Sequence, residues 1–373
     1  MQAYSQRERL LSRYLSYIPF IKKLAKYAYM VLMYQFYRKK DKFLSDYEIN
    51  RVYNDYNFES FGGYYDKNPQ NNNNGLVLCH LSNHSTSRTP NSRYPIYVSV
   101  IDLDNHCLRW KKTTKAFNWQ QGARLQWLDN SLFAYNDFDE HKMLFITKVI
   151  DINNFKEANI YNKPIQDSFG NKYFLSLNYQ RLYTLRPEYG YDNLGSMTNN
   201  DLNEIDDDGI WKVDFKTGKE QLLISLKKII ELQYKSWYSK VHHKVNHIMI
   251  SPDGSHFIFI HRCFRKGRRI DRLICADSES GDMKVLSDNE MVSHCCWLDN
   301  REILGFLRGD NKVDGYWLID INSNEKHIID LFNNDFYGDG HPTTDGKRVI
   351  IDCYPDKARI QHLWCFDLDK KVN

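Results

Sequence analysis

The chain lacks the features that would tie it to a polyanion, to the cell exterior or to a membrane span. Its 51 Lys and Arg nearly balance 47 Asp and Glu. A net charge of +4 over 373 residues argues for no nucleic-acid partner, and none is expected. The eight cysteines (Cys79, Cys107, Cys263, Cys275, Cys295, Cys296, Cys353 and Cys365) show neither a disulfide framework nor C-x-x-C zinc spacing. Read as free thiols, they fit a reducing compartment. No compact apolar core followed by a small-residue cleavage site appears near the start. The expected location is therefore the cytoplasm. The uncharged run Tyr27–Tyr37 holds 11 residues, against the roughly 20 that a membrane-spanning helix needs.

What is present divides the chain in three. Residues 1–43 read as a basic amphipathic helical segment broken near Pro19, with Arg38-Lys-Lys closing the apolar run. Such a segment either packs on the main domain or, through residues 10–40, lies on an anionic membrane at its inner face. Residues 44–75 are polar and rich in Tyr and Asn, and read as a linker. From residue 76 to 373 the chain reads as short strands rich in β-branched and aromatic residues, such as Tyr97-Val-Ser-Val-Ile and Phe257-Ile-Phe-Ile. One helix is expected there, around Leu223–Trp237.

The strands repeat. Ser251-Pro-Asp-Gly, Trp297-Leu-Asp-Asn, Thr344-Asp-Gly and Trp127-Leu-Asp-Asn each open a unit, which is expected to end in a hairpin with an Asp-x-x-x-Gly-type turn. A period in the forties with four strands per unit predicts an all-β fold, a β-propeller of six or seven four-stranded blades. The Gly-His and Trp-Asp signature of WD40 repeats is absent. The final residues stop where a last strand would follow, so closure by an N-terminal strand is one expectation.

His247, His294 and His341 fall at two equal intervals of 47 residues, each just before or early in a first strand. First strands line the channel of a propeller. Alignment of Trp127 with Trp297 places Arg124 at the position of His294, and Gln121 and Asp339 lie close by in sequence. Three histidines at one level suit a divalent metal. Equally, each histidine could cap its own blade. A second cluster, His261–Arg272, holds six basic residues and one acid in twelve. It is expected as a loop that replaces a tight hairpin, with Arg262, Arg265 and Arg268 available to an anion. A third stretch, Leu177–Tyr191, combines Arg181 and Arg186 with four tyrosines, a mixture suited to acidic saccharides.

From His247 to Asp352 the sequence resembles the oligogalacturonate lyases, a family of cytoplasmic β-propeller polysaccharide lyases. The resemblance rests on His247-x-x-x-Ser-Pro, His261, Asp271-Arg-Leu, Ser293-His-x-x-Trp297 and His341 before an Asp-Gly turn. It covers about a third of the chain. It implies β-elimination on an acidic saccharide, in which a histidine acts with an arginine. It also implies a divalent metal, manganese most typically, held by three histidines and a glutamine. His294 and His341 match ligand positions, and His247 matches the neighbourhood of the base, with His261 as competitor. Arg124 and Arg262 would neutralise the substrate carboxylate. The family's glutamine and further histidine before the last ligand are missing from Asp335–His341, where Asp339 stands as the substitute oxygen ligand. The alternative is a non-catalytic propeller that organises cell-surface polysaccharide enzymes at the membrane. A third reading is a sensor of anionic lipid or phosphate that uses residues 262–272.

Overall fold

The computed structural model describes residues 19–37, 45–71, 73–331, 338–355 and 360–368. The rest of the N-terminal basic segment, residues 335–337 and the last five residues lie outside them. The fold is a six-bladed β-propeller of antiparallel sheets. By compactness the chain divides into two units, residues 51–291 and residues 1–50 with 292–373.

The first unit holds four blades. Blade 1 comprises β1 (Glu59–Phe61), β2 (Gln70–Asn71), β3 (Leu76–Ser82), β4 (Ile96–Asp102) and β5 (Cys107–Thr114). Blade 2 comprises β6 (Gln126–Trp127), β7 (Leu132–Asp139), β8 (Leu144–Asp151) and β9 (Lys156–Tyr161). Blade 3 comprises β10 (Ile165–Phe169), β11 (Tyr173–Ser176), β12 (Gly209–Asp214) and β13 (Glu220–Ser225). Blade 4 comprises β14 (His243–Ile250), β15 (His256–Arg265), β16 (Arg268–Asp277) and β17 (Met283–Glu290). The second unit carries blade 5, with β18 (Val292–Trp297), β19 (Glu302–Arg308), β20 (Asp314–Asp320) and β21 (Lys326–Ile329). Blade 6 has β22 (Pro342–Thr344), β23 (Arg348–Asp352) and β24 (Leu363–Asp367). Among the described residues no N-terminal strand joins that last sheet.

The middle strands are apolar on both faces because both are covered. Residues Phe257 to Ile260 are each at most 1% exposed, and Phe257 and Phe259 join the core cluster that includes Leu175, Ile224 and Ile274. The outer hairpins share one device. In blades 1 to 5 the carboxylate of Asp102, Asp151, Asp214, Asp277 or Asp320 accepts backbone N–H groups two or three residues on. The fourth residue after each is left-handed: His106, Phe155, Gly218, Gly281 and Asn324. This is the Asp-x-x-x-Gly turn of the sequence repeat. It works because an Asx turn satisfies the donors that the reversal exposes.

Three expectations change. The segment 44–75 is not all linker. Both β1 and β2 pair with β3, at Phe61–His80 and Gln70–Val77, so together they form a broken first strand. The expected helix at Leu223–Trp237 is shorter: β13 keeps residues 220–225, Ser225 caps a helix at Leu226–Glu231, and Gln233 turns left-handed. Sequence reading also missed the short helices Tyr179–Leu185 and Asn199–Asn203. The basic stretch at 262–272 is no loop. It is a long tight hairpin whose turn is Lys266-Gly267, both with positive φ, the backbone that fits the right-handed twist of paired strands.

The N-terminal helix, α1 (Pro19–Tyr37), is present. Lys22, Ala25, Tyr29, Met30 and Met33 form a half-buried stripe. Its remaining described face is exposed and mostly apolar, with Phe20 79%, Leu24 61% and Phe36 76% exposed beside Lys26 and Gln35. Among the described residues no helix is long and apolar enough to cross a membrane.

Candidate functional site

The strand register defines one equivalent position in five blades. The last ladder pairs before the inner turns are Trp127–Phe133, Phe169–Tyr173, Ile250–Phe257, Trp297–Ile303 and Thr344–Val349. Three residues before each first partner stand Arg124, Gln166, His247, His294 and His341. The alignment of Arg124 with the histidines read from sequence therefore holds in the register. Gln166 was missed because blade 3 has no Asp-Gly or Asp-Asn at its inner turn to mark it.

In the first unit, Arg124 and His247 both have φ of 53°, a left-handed backbone that costs a non-glycine residue energy. Neither side chain faces open solvent. Residues 62–69, between β1 and β2, meet them. Arg124 donates both terminal nitrogens to Asp66, at 3.1 and 2.7 Å, and its Nε to the Gln166 carbonyl at 2.8 Å. Burial alone would raise the Asp66 pKa, but the Arg124 and Lys67 charges hold it below the usual carboxylate value. Lys67 pairs in turn with Asp167. The Tyr64 ring stacks on His247 at 5.5 Å and its hydroxyl lies 3.3 Å from Nδ1, while Tyr189 meets the imidazole edge-on at 5.2 Å. Gln121 is buried, and neither its side-chain oxygen nor its nitrogen has a protein hydrogen-bond partner.

Blade 4 has two polar faces. On one, Arg272 donates Nε–H to His261 Nδ1 at 3.0 Å. That fixes His261 as the Nε2–H tautomer, which donates to His243 Nδ1 at 2.9 Å; His243 then donates to the Tyr238 carbonyl at 2.9 Å. Both rings are neutral. Burial, with Arg272 adding to it, pushes His261 well below its usual pKa, and burial pushes His243 down to about 4. Each nitrogen of His261 is thus already engaged.

On the other face lie Lys244, Arg262 and Asp271, aligned across β14, β15 and β16. Arg262 is bound to Asp271, which also accepts from Arg269 at 2.9 Å. Arg181 holds Asp208 and the Leu202 and Glu204 carbonyls, so it pins the helix Asn199–Asn203. Arg186 lies over the Tyr189 ring, Arg265 over Trp237, and Arg268 pairs with Arg265 across the hairpin tip. A cleft of about 510 Å³ among Lys172, Lys212, Asp214, Gly254 and Glu279 includes none of the residues singled out from the sequence.

The second unit brings three predicted residues, His294, His341 and Asp339, together with Asp352. His294 Nδ1 lies 3.1 Å from Asp339 Oδ1, and Ser293 Oγ donates to the same carboxylate. His341 Nδ1 lies 2.9 Å from Asp352 Oδ1, which also accepts the His341 backbone N–H at 2.6 Å. The two imidazoles touch, with centroids 3.9 Å apart. Burial raises the Asp352 pKa, but the His341 hydrogen bonds and the two histidines outweigh it and hold the carboxyl below its usual value. Asp352 was not singled out from sequence, because an acid at a strand end carries no signal of its own. A carboxylate on Nδ1 orients the ring and raises the basicity of Nε2, as in catalytic dyads and in metal-ligating histidines alike. Asp339 is engaged in orienting His294. Among the described residues, no three His, Cys, Asp or Glu side chains are grouped to hold an ion. The described residues therefore do not assemble a metal site.

No protein-family model matches the chain, and no curated protein matches it in sequence. Solved structures of similar fold include the β-propeller domain of the Trilobed protease from Pyrococcus furiosus, at 12% identity and TM-score 0.48, over 79% of this chain and 78% of that one. An oligogalacturonate lyase in complex with manganese aligns at 12% identity and TM-score 0.44, over 83% of this chain and 90% of that one. TolB from Acinetobacter baumannii aligns at 16% identity and TM-score 0.39 over 78% of this chain, which spans 64% of the TolB chain. At these identities the likeness concerns the fold alone, and no residue role passes to this chain.

Proposed function

We propose that the protein is a lyase-like enzyme that acts on an acidic, uronate-containing saccharide by β-elimination. The observation that carries this reading is the pair of carboxylate-backed imidazoles, His294 with Asp339 and His341 with Asp352. β-Elimination needs a base to take the proton next to the substrate carboxylate. A neutral imidazole whose Nδ1–H is held by a carboxylate offers Nε2 for that task, and the imidazolium that results is stabilised by the same carboxylate. The proton passes from the substrate carbon to Nε2, and the electron pair forms the new double bond as the glycosidic oxygen leaves.

The test is product formation from a panel of acidic oligosaccharides, read as the absorbance of unsaturated uronates. His294→Ala and Asp352→Asn should each lower the rate by 10²-fold or more while the fold persists by circular dichroism. Mass spectrometry of the purified protein reads metal content in parallel. No product from any acidic saccharide with folded wild-type protein sinks the reading.

A second reading, a binding module of polysaccharide metabolism at the membrane surface, is favoured by a different observation. Arg124, Arg262 and Arg181 are each bonded to a carboxylate of the chain itself. Saccharide binding without product supports it.

A further inference from the structure

Lys244 is the one lysine in the first unit that the fold buries without a hydrogen-bond or ion-pair partner among the described residues. The residue is 1% exposed, and its Nζ makes no hydrogen bond. Asp271, the nearest carboxylate along the row, is held by Arg262 and Arg269. Directly across the ladder from Lys244 stands Arg262. Arg186, from the turn after the helix Tyr179–Leu185, adds a second positive charge that acts on the amine, and Glu188 adds a negative one. Like charges directly opposite in a sheet repel, and a methionine would fill this place without an unpaired group. An amine held so is an arrangement missing its counter-charge. The Phe264 ring lies 5.8 Å from Nζ and is 40% exposed, at the solvent end of the same face. It stands between the amine and the hairpin tip.

We propose that the Lys244 amine, with Arg262 opposite it and the Arg186 charge acting on it, forms an oxyanion site beside Phe264, which takes a carboxylate or phosphate group. The carboxylate form of the proposal rests on the acidic-saccharide reading; the oxyanion chemistry does not. Burial, with help from Arg262 and Arg186, pushes the Lys244 amine down to about 6. The empty site therefore holds a largely neutral amine at pH 7, and an incoming anion restores its proton. Binding takes up one proton from solvent, and affinity rises as pH falls toward 6.

Calorimetry on the full chain with inorganic phosphate and with galacturonate tests this. It is run in two buffers of different ionisation enthalpy, for wild type, Lys244→Met and Lys266→Met. Lys266 lies at the exposed hairpin tip and controls for general positive charge. The expected result is binding with proton uptake in wild type and Lys266→Met, and affinity at least ten-fold weaker, without proton uptake, in Lys244→Met. Lys244→Met should melt at or above the wild-type temperature without ligand, which shows that it folds. Binding of galacturonate assigns a carboxylate occupant; binding of phosphate alone assigns a phosphate one. Equal affinity in Lys244→Met and wild type overturns the site, as does binding of neither anion to wild type. Unsaturated product at an unchanged rate and KM in Lys244→Met leaves the lyase reading standing and removes the carboxylate form of this site.

Discussion

Arg124 and His247 sit at equivalent register positions with the same strained backbone, and both are met by the chain's own residues 64–67. Backbone strain of this kind persists only where surrounding contacts over-determine it. At Arg124 those contacts are a two-pronged ion pair with Asp66, both side chains at most 5% exposed. Replacing Asp66 with Ala leaves a buried guanidinium without its carboxylate. The expected loss is about 3–5 kcal/mol of unfolding free energy, read by urea denaturation. The sign with pH follows from the depressed Asp66 pKa. Its contribution is fully present above the unfolded carboxyl value of about 3.9 and is lost as pH falls through the lower folded value. Wild type should therefore lose stability on acidification below about pH 4 more steeply than Asp66→Ala. Equal slopes would mean that the pair is not formed.

At the scale of elements, the outer hairpins separate two costs that a glycine can hide. Gly218 and Gly281 occupy the same turn position, with φ of 68° and 74°. A Cβ at Gly218 meets nothing within 4 Å, whereas one at Gly281 would approach the Leu223 carbonyl at 2.9 Å. Gly218→Ala should cost about 1 kcal/mol from backbone conformation alone, and Gly281→Ala distinctly more. Thermal melts of the two variants decide it, and equal shifts would contradict the register. Helix α1 poses a separate question, because its apolar residues Phe20, Leu24 and Phe36 are exposed. An anionic membrane surface is the proposed cover. Leu24→Glu with Phe36→Glu should abolish co-sedimentation with vesicles that contain phosphatidylserine, and an unchanged pellet would reject that cover.

For the whole molecule, cysteine exposure offers a test of the propeller that needs no ligand. Cys107 and Cys365 are exposed, Cys79 is partly covered, and the other five are buried within the blades. Burial pushes Cys79 up to about 11, and Cys263, Cys275, Cys296 and Cys353 up to about 12. A thiol reagent at neutral pH should therefore modify two cysteines quickly and the remaining six only on unfolding, since the thiolate is the reactive form. Fast reaction at Cys263 or Cys275 would mean that blade 4 is not packed as described.

The amino-acid sequence by itself determined the blade repeat. Each unit carries its own turn chemistry: Asp at the outer hairpin, Asp-Gly or Asp-Asn at most inner ones, with β-branched and aromatic strands between. These are local preferences that need no distant partner, so they are readable in one dimension. The equivalence of Arg124, His247, His294 and His341 follows from the same periodicity, and the ladder register agrees with it. Only the tertiary structure decided what those side chains meet. Asp66 reaches Arg124 from 58 residues away, Asp339 reaches His294 from 45, and Tyr64 reaches His247 from 183. Nothing local marks Asp66, Asp352 or Lys244, because a charge declares its partner, or its lack of one, only when folding removes the water around it.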